Sequence, residues 1–233
     1  MVGGGPGAFI GGVHRMAARL DGRWTLTAGA FSSDPTVSQA FGRELRLAPE
    51  RSYSDWQRMA QAEAGRDDGV DAVAIVTPNH LHAPIATAFL EAGIAVICDK
   101  PLTVDLTQAR ALAALVERSG LPFILTHNYS GYPMVREARN LAASGRLGAL
   151  RVVQVEYAQD WLARDLPGNR QADWRGDPAR AGPGGALGDI ATHAFHLAGF
   201  VTGARTLAVS ADLSSFVPGR RVDDNVHVQM RLA

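Results

Sequence analysis

The chain has 233 residues, and its 23 basic and 23 acidic side chains give a formal net charge of zero. That balance argues against a nucleic-acid-binding protein, and no apolar run approaches the ~18 residues that a membrane span requires. A chain of this length forms one large domain or two small ones. The single cysteine, Cys98, cannot form an internal disulfide, and no signal-peptide pattern follows Met1. We therefore expect a cytoplasmic protein with neither nucleic acid nor a membrane as its partner.

A glycine-rich segment opens the chain and has the spacing of a dinucleotide-binding fingerprint. Gly3-x-Gly5-x-x-Ala8 satisfies that pattern, while Gly7 and Gly11 allow a second register with a longer loop. Glycines let the backbone approach a pyrophosphate, and the N-terminus of a following helix attracts the anion. A flexible chain end is the alternative, but an apolar helical stripe follows at once. The predicted cofactor contacts in this segment are Gly3, Gly5, Gly7, Ala8, Phe9 and Ile10.

The second predicted strand, residues 24–31, ends at Ser32 and Ser33. Dinucleotide-binding proteins often carry an acid at this point, which holds the adenine ribose. Two serines can hydrogen-bond a 2′-phosphate and do not repel it, so the pattern leans toward NADP. The following Asp34-Pro35 is typical of a helix cap and first turn. The alternative is that both serines only cap this helix.

Strands and helices then alternate with short connections, which predicts a parallel, doubly wound sheet. A buried strand, residues 71–76, is followed by the loop Thr77-Pro-Asn-His-Leu-His82 and by a helix that ends at Gly93. Loops at the carboxyl ends of such strands hold the ligand in open α/β folds. For His80 and His82 the alternative is a capping or packing role. The predicted cofactor contacts in this loop are Thr77, Pro78, Asn79 and His82.

The segment Ile94-Ala-Val-Ile-Cys-Asp-Lys-Pro101 is central to the prediction. Its apolar run is typical of a buried parallel strand, so Asp99 and Lys100 follow at the carboxyl edge of the sheet. Pro101 fixes the backbone beside Lys100 and is compatible with a cis peptide bond. A solvated lysine in a loop is the alternative.

The pattern changes after Tyr129, so we divide the chain into residues 1–128 and 129–233. The second part contains a helix, a half-buried strand, a long loop rich in Trp, Gly and Pro, a second helix and two further strands. Long loops inside a compact domain are commonly functional. The corresponding ranges are residues 133–144, 150–157, 161–185, 188–200, 207–216 and 222–232.

Asp189 and His193 lie four residues apart on the predicted helix and would share one of its faces. A carboxylate and an imidazole placed in this way can transfer protons. The alternative is that Asp189 interacts with the helix dipole and that His193 is packed in the core. His193 and His196 do not indicate a metal site, because no third ligand is evident and no Cys/His cluster suggests zinc.

In their order along the chain, these segments resemble the Gfo/Idh/MocA oxidoreductase family, the group of glucose–fructose oxidoreductase and inositol dehydrogenase. The resemblance implies an N-terminal Rossmann-like domain and a C-terminal α/β domain built on an open, mostly antiparallel sheet. It also implies NAD(P)-dependent oxidation or reduction at a carbon of a sugar, inositol or related polyol. The matching motifs cover almost the whole chain and are residues 3–11 with His14, residues 77–82, Asp99-Lys100-Pro101, Trp174-Arg175 and Gly188-Asp189-x-x-x-His193.

The same resemblance assigns roles to individual residues. Lys100 matches the family's catalytic lysine, and Asp189 and His193 match its acid–histidine pair. Asp99 stands where the family usually has Glu, so this acid is one methylene shorter. Further predicted cofactor contacts are Asp99, Lys100, Pro101 and Asn128. The predicted substrate contacts are Lys100, Trp174, Arg175, Asp189 and His193.

The expected chemistry is hydride transfer to or from a nicotinamide. His193 takes the hydroxyl proton, Lys100 hydrogen-bonds the same oxygen and stabilises the developing alkoxide, and Asp189 orients the substrate or Lys100. Two alternatives stay open: an NAD-dependent glycoside hydrolase of the same fold, and a nucleotide-binding protein without catalysis.

Both ends of the chain are expected to be incomplete. Only Met1 and Val2 precede the fingerprint, which normally follows a whole strand, and Ala233 lies inside the second predicted sheet of a family whose members are longer. Such a sheet would keep an open edge. For a longer form of the protein, the resemblance implies a homo-oligomer formed through the C-terminal sheet.

Overall fold

The structure is a computed structural model that describes residues 1–233. These residues fall into two compact units, Met1–Thr126 and His127–Ala233. The boundary predicted from the sequence, after residue 128, lies two residues further along the chain. None of the nine α-helices combines the length and the apolar character that crossing a bilayer requires.

The first unit is built on a parallel sheet of six strands. The strands are β1 (Val2–Gly3), β2 (Gly29–Ala30), β3 (Ser52–Tyr53), β4 (Ala72–Val76), β5 (Ala95–Cys98) and β6 (Phe123–Leu125). Their order across the sheet is β3-β2-β1-β4-β5-β6, and every neighbouring pair is parallel. The order therefore reverses between β1 and β4, where doubly wound sheets bind dinucleotides. The predicted Rossmann-like sheet is confirmed.

Five helices connect these strands: α1 (Phe9–Arg19), α2 (Pro35–Glu44), α3 (Trp56–Ala64), α4 (His82–Glu91) and α5 (Leu106–Ser119). Local capping chemistry sets several of their ends. Asp34 begins α2 by accepting hydrogen bonds from the amides of Thr36 and Val37, at 2.8 and 3.2 Å. Asp105 begins α5 in a similar way. Gly120 ends α5 in the left-handed conformation, which glycine adopts without a steric penalty.

Helix α4 is buried against the centre of the sheet. Ile85, Ala86 and Phe89 are completely buried on this helix, and Val73 of β4 and Val96 of β5 belong to the same apolar cluster. Burying a side chain such as Phe or Ile stabilises a fold by ~1.5–3 kcal/mol. This core fixes the ends of β4 and β5, and with them the loops that follow.

The outer strands are shorter than the sequence predicts. The pattern predicts a strand over residues 24–31, but only Gly29–Ala30 joins the sheet. The two strands beside it, β1 and β3, are also only two residues long, so β2 can form only a short ladder of backbone hydrogen bonds with them. Strand β3 has no alternating apolar pattern that would predict it.

The second unit is mostly helical and irregular, with one pair of strands. Strands β7 (Thr206–Ser214) and β8 (Asn225–Leu232) form an antiparallel pair, as the predicted antiparallel sheet requires. A π-helical turn, Leu187–Ala191, leads into the last helix. The helices are α6 (Pro133–Ala143), α7 (Arg170–Arg175), α8 (Pro178–Ala181) and α9 (Thr192–Thr202).

Two segments of this unit differ from the prediction. Residues 150–157 have the alternating pattern of a strand, but they belong to no sheet. An extended segment becomes a strand only when a neighbouring backbone satisfies its N–H and C=O groups, and no such neighbour pairs with it. The predicted loop over residues 161–185 contains α7 and α8, each begun by a capping side chain, Asn169 and Asp177.

Candidate active site

The loop between β1 and α1 is packed so tightly that only glycine fits at several positions. A Cβ added to Gly11 would lie 2.5 Å from the Cα of Gly4, and one added to Gly4 would lie 2.9 Å from the Cα of Gly11. Gly3 and Gly4 also have positive φ angles, 81° and 70°, which other residues rarely adopt. Helix α1 therefore approaches the loop at Gly11. Ala8, which the shorter register would place there, is the N-cap of α1, so the longer register describes the packing.

The same loop lies across the carboxyl ends of two strands. A Cβ on Gly3 would lie 2.7 Å from the carbonyl oxygen of Val76, at the end of β4, and one on Gly5 would collide with that of Phe31, which follows β2. Arg15 holds the loop from the helix side by donating a hydrogen bond to a loop carbonyl oxygen at 3.0 Å. The first turn of α1 contains no acidic residue, so its amides offer a positive end to an anion.

Beside this loop lies a buried hydroxyl that has no hydrogen-bond partner in the protein, that of Thr77. A Cβ on Gly3 would come within 2.9 Å of the Thr77 methyl group, so Thr77 lies next to the glycine loop. A buried hydroxyl without a hydrogen bond is unfavourable by ~1–3 kcal/mol. A polar group of a ligand held over the loop would remove that penalty. The glycine loop and this hydroxyl together fit a dinucleotide.

Ser32 and Ser33 follow β2, as the sequence predicts. The Ser32 hydroxyl accepts a hydrogen bond from the amide of Asp34 at 3.1 Å, so it takes part in the turn that begins α2. Its own hydrogen can still be donated to a ligand, and Ser33 is exposed. The Asp34 carboxylate is occupied by the first amides of α2. Asp34 and neither serine is thus the N-cap of α2, while Ser32 stabilises the turn before it.

His82 has the packing role that is the alternative for it, and its contact with a cofactor stays a prediction. Its ring is buried, with Nδ1 2.8 Å from the carbonyl oxygen of Pro101 and Nε2 3.0 Å from that of Thr77. The ring therefore lies between the loops that follow β4 and β5. Burial lowers the pKa of His82, which favours the neutral ring, and a neutral ring donates its single N–H to one of the two oxygens. Of the other predicted contacts in this loop, Pro78 is half-buried and Asn79 is buried.

Asp99 connects three elements at the carboxyl edge of the sheet. Its Oδ1 lies 2.8 Å from Nε2 of His14 in α1 and accepts a hydrogen bond from the hydroxyl of Thr126 at 2.7 Å. Burial by itself raises the pKa of Asp99, but the hydrogen bond and charge of His14 and the bond from Thr126 outweigh it and lower that pKa. Oδ1 is therefore engaged within the protein, and the contact of Asp99 with a cofactor stays a prediction. Lys100 and Pro101 follow directly, joined by a cis peptide bond.

The remaining predicted cofactor contacts are exposed. Gly7 has a positive φ of 75° and open space beside it, and Phe9 and Ile10 begin α1 with exposed side chains. At such a helix start, the backbone amides and not the side chains bind a phosphate. Asn128 is exposed in the second unit, at the start of the 3₁₀ turn Asn128–Gly131. Its contact with a cofactor stays a prediction.

In the second unit, Asp189 lies in the π-helical turn Leu187–Ala191, and His193 lies in the first turn of α9. His193 is buried, and Asp189 is half-buried. A π-helix forms i→i+5 hydrogen bonds, so the backbone that leads from Asp189 to His193 is not a regular α-helix. The predicted position of both side chains on one face stays a prediction. Single π-turns occur frequently at functional sites.

Arg175, a predicted substrate contact, holds the carboxylate of Asp189. The Arg175 Nε donates a hydrogen bond to Oδ2 of Asp189 at 3.0 Å. Its NH1 donates to the side-chain and backbone oxygens of Gln171, at 3.0 and 3.2 Å. The guanidinium also lies over the rings of Trp174 and Trp161, at 4.2 and 5.4 Å from their centres. Trp174 and Arg175 thus position Asp189, together with Trp161 and Gln171, which no sequence motif marks.

Aromatic rings surround His193. Tyr129 meets it edge to face with 4.8 Å between ring centres, and His127 does so at 5.8 Å. His127 also stacks on His196 at 4.1 Å. The hydrogen bond between the hydroxyls of Tyr129 and Tyr157, together with burial, raises the pKa of Tyr129 to about 12. The Tyr129 hydroxyl therefore stays protonated beside the imidazole of His193.

Two family models match this chain over nearly its whole length. The first, described as an oxidoreductase family with an NAD-binding Rossmann fold, matches residues 1–129. The second, the GFO/IDH/MocA C-terminal domain, matches residues 135–233. The chain belongs to the Gfo/Idh/MocA oxidoreductase family. The predicted resemblance and the predicted α/β fold class are both confirmed.

The chain is similar to relatives that are longer than it is. It is 38% identical to the oxidoreductase YfiI of Bacillus subtilis (strain 168), over 99% of this chain and 60% of that protein. It is 34% identical to levoglucosan dehydrogenase of Pseudarthrobacter phenanthrenivorans, over 92% and 54%. An inositol dehydrogenase homolog from Azotobacter vinelandii, solved with NAD+, is 36% identical with a TM-score of 0.95, over 100% and 60%. The chain thus spans 54–60% of the length of these relatives.

Proposed function

We propose that this protein is an NAD(P)-dependent dehydrogenase that transfers a hydride between a nicotinamide cofactor and a CH–OH carbon of a sugar, inositol or related polyol. The observation that carries the proposal is the glycine loop, where Gly4 and Gly11 touch beside the unpartnered hydroxyl of Thr77. Such a loop at the switch point of a parallel sheet binds the pyrophosphate of a dinucleotide. Membership of a family described as NAD-binding supports the same cofactor.

Relatives support a polyol as the substrate class. A homolog of inositol dehydrogenase from Azotobacter vinelandii, 34% identical, was solved with NADH and myo-inositol. Levoglucosan dehydrogenase, 31% identical, was solved with NADH and levoglucosan. Both small molecules carry several hydroxyl groups on a ring. This chain covers 60% and 62% of those two chains, so the activity of the whole protein belongs to the proposal.

Three side chains carry the proposed chemistry. His193 accepts the proton of the substrate hydroxyl as the hydride leaves the same carbon. Lys100 donates a hydrogen bond to that oxygen and stabilises the alkoxide as it develops. Asp189, itself oriented by Arg175, orients the substrate or Lys100. The nicotinamide, when bound, supplies the redox chemistry, and in the reverse direction the same groups return the proton.

Acceptance of NADP in addition to NAD is the finer part of the cofactor proposal. Its support is that neither Ser32 nor Ser33 carries a negative charge and that the Asp34 carboxylate is engaged with the amides of α2. Titration of both cofactors, followed by protein fluorescence, tests it. NAD binding ten times tighter than NADP, a difference of about 1.4 kcal/mol, would contradict it.

A homo-oligomer formed through the sheet that contains β7 and β8 also stays a proposal, as does the cytoplasmic location. Exposed apolar side chains on these strands support an interface: Leu207, Val209, Leu213 and Val228. The molar mass in solution, measured by light scattering, tests the oligomer, and a monomer at all concentrations would contradict it.

The decisive experiment is a screen of free sugars and inositols with NAD and NADP, followed by the absorbance of the reduced nicotinamide. Net, substrate-dependent formation of NAD(P)H supports the dehydrogenase. Cleavage of a glycoside without net reduction of the cofactor would indicate the hydrolase alternative. Cofactor binding without turnover of any polyol would indicate a non-catalytic nucleotide-binding protein.

A further inference from the structure

The connection between β7 and β8 holds both ends of the segment that carries Trp174, Arg175 and Asp189. We call residues 161–191 the site segment. Near its start, Arg220 donates hydrogen bonds to two backbone carbonyl oxygens, at 2.7 and 3.4 Å. Near its end, the carboxylate of Asp223 binds backbone amides. The connection therefore acts on the site segment through backbone contacts at two places.

Asp223 is a buried acid with three contacts to the end of the site segment. Its Oδ1 accepts a hydrogen bond from the amide of Gly185 at 2.8 Å, and its Oδ2 accepts one from the amide of Leu187 at 2.7 Å. Its backbone carbonyl accepts a third, from Ala186, at 2.9 Å. A Cβ on Gly185 would collide with that carbonyl oxygen, so the two backbones are in direct contact.

The amides that Asp223 binds open the π-helical turn Leu187–Ala191. Amides at the start of a helical turn have no acceptor within the helix and need a partner from outside it. A π-turn is rare and forms only locally, so its start depends on such partners. Asp189 is the third residue of this turn, and His193 follows in α9. The position of the Asp223 carboxylate thus sets the direction of the helical segment that carries Asp189 and His193.

We propose that Asp223 is a positioning residue for the candidate active site: it holds the start of the π-helical turn and, through that turn, the side chains of Asp189 and His193. Asp223 acts through backbone amides and takes no part in proton or hydride transfer. As far as turnover is concerned, this inference rests on the proposed dehydrogenase function.

The neighbouring Asp224 provides a matched control. Its carboxylate accepts hydrogen bonds from the amides of Phe216 and Val217, each at 2.9 Å, and lies 3.4 Å from NH1 of Arg220. It performs the same capping chemistry on the loop after β7 and not on the π-helical turn. Its link to the site segment runs through Arg220, which binds that segment near its start. Replacing either acid by Asn keeps the size of the side chain and exchanges one acceptor oxygen for an N–H donor that faces an amide.

The experiment compares Asp223→Asn with Asp224→Asn by kcat, KM, cofactor Kd and Tm. Displacing a catalytic group by ~1 Å can cost ~10²-fold in rate, so Asp223→Asn should lower kcat by at least ~10-fold. Its cofactor Kd should stay within ~2-fold of wild type, because the substitution leaves the glycine loop unchanged. Asp224→Asn should lower Tm by a comparable amount and leave kcat within ~2-fold of wild type.

A second variant keeps the test decisive if Asp223→Asn folds poorly. Gly185→Ala places a Cβ against the backbone carbonyl oxygen of Asp223 and so disturbs the same contact from within the site segment. It should lower kcat as Asp223→Asn does, again with little change in cofactor Kd. Equal losses of kcat in Asp223→Asn and Asp224→Asn would overturn the proposal. Unchanged kcat in both Asp223→Asn and Gly185→Ala would overturn it as well.

Hydrogen exchange separates this inference from the proposed function. The amides of Gly185 and Leu187 should be protected in wild type, and Asp223→Asn should speed their exchange more than Asp224→Asn does. If wild type binds cofactor but oxidises no polyol, the proposed function is wrong, and the exchange result still decides whether Asp223 holds the turn. Unchanged exchange at both amides in Asp223→Asn would refute the inference whatever the activity.

Discussion

The two units hold their candidate site residues in place by different means. In the first unit, close backbone contact and the ends of buried parallel strands define the site, as where Gly4 touches Gly11. In the second unit, charged side chains hold an irregular backbone: Arg175 binds Asp189, and Asp223 binds the start of the π-helical turn. Gly4 and Gly11 lie close together along the chain, in a loop and in the helix that follows it, whereas Asp223 lies 36 and 38 positions from its partners.

This difference predicts which measurement each kind of mutation changes. Added bulk in the glycine loop should weaken cofactor binding, because the loop has no space for a Cβ. Loss of a charged or hydrogen-bonding group in the second unit should lower kcat and leave cofactor binding intact. Variants from each unit therefore test the comparison directly.

The largest effect is expected from removing one proposed catalytic group from each unit. Lys100→Ala and His193→Ala should each lower kcat by ~10²–10⁴-fold, the usual worth of a group that assists proton transfer. Cofactor Kd should change little, because the glycine loop stays intact. Residues that act as one unit are non-additive, so the double variant should be little slower than the slower single variant. The measurements are kcat, cofactor Kd and Tm for all three variants.

The two alternatives from the sequence give different results. If His193 is only packed among its aromatic neighbours, His193→Ala lowers Tm and leaves kcat of the folded fraction intact. If Lys100 is only a solvated loop residue, Lys100→Ala changes neither quantity. Either result would remove that residue from the proposed mechanism.

The next largest effect concerns two neighbouring glycines of α1. Gly11→Ala places a Cβ against the backbone of Gly4, and overpacking of this kind costs ~1–3 kcal/mol. If that strain falls on the bound loop, cofactor affinity drops by ~10- to 100-fold. Gly12→Ala is the control, because its Cβ meets only the tip of Arg15, at 3.9 Å. It should leave cofactor Kd unchanged and raise stability by up to ~1 kcal/mol through helix propensity.

Cofactor titration and urea denaturation measure both glycine variants. Equal cofactor affinities for Gly11→Ala and Gly12→Ala would show that the close contact between helix and loop is not needed for binding. Close backbone packing would then not be what forms the cofactor site in the first unit.

A smaller effect is expected from Arg175→Lys in the second unit. Lysine keeps the charge but lacks the planar fork that binds Asp189 and Gln171 at once and stacks on Trp174. Hydrogen bonds to charged groups contribute ~1.5–3 kcal/mol, so partial loss of this frame should lower kcat by ~10-fold. Arg170→Lys is the control, since Arg170 begins the same helix and is exposed. Equal kcat for both variants would mean that Arg175 does not position Asp189.

The same difference between the units explains how far the sequence could be read. Local patterns predicted the alternation of strands and helices, the end of α4 near Gly93 and the place of Lys100 after β5. They overestimated β2, because the length of a strand depends on the neighbours with which it pairs. Which strands pair, and over what length, depends on the whole sheet, so a short stretch of sequence does not predict it.

In the second unit, the resemblance to a family pointed to Asp189 and His193 as candidate site residues, but not to the contacts that hold their backbone. A π-turn and an α-helical turn look alike in sequence, so the spacing of these residues did not predict the π-helical turn. Asp223 caps amides that are far away along the chain, and no pattern of spacing connects the two. Predicting such contacts requires the fold itself.

The smallest effect concerns Asp99, where the first unit also depends on side-chain hydrogen bonds. The bonds from His14 and Thr126 lower the pKa of Asp99 in the folded protein, relative to ~3.9 for an unfolded chain. A carboxylate with a lowered folded pKa contributes stability that is fully present above the unfolded pKa. That contribution is lost as the pH falls through the folded pKa. The loss is therefore expected below ~pH 4.

Asp99→Asn keeps the shape of the side chain but does not titrate, so it isolates this contribution. Between about pH 5 and 3, the unfolding free energy should fall less steeply in Asp99→Asn than in wild type, by at most ~1.4 kcal/mol per pH unit. Thr126→Val removes one of the two hydrogen bonds and should give an intermediate slope. If the unfolding free energy, measured by urea denaturation, falls equally steeply with pH in wild type and Asp99→Asn, the hydrogen bonds of Asp99 do not stabilise the folded protein. Side-chain hydrogen bonds would then position candidate site residues in the second unit only.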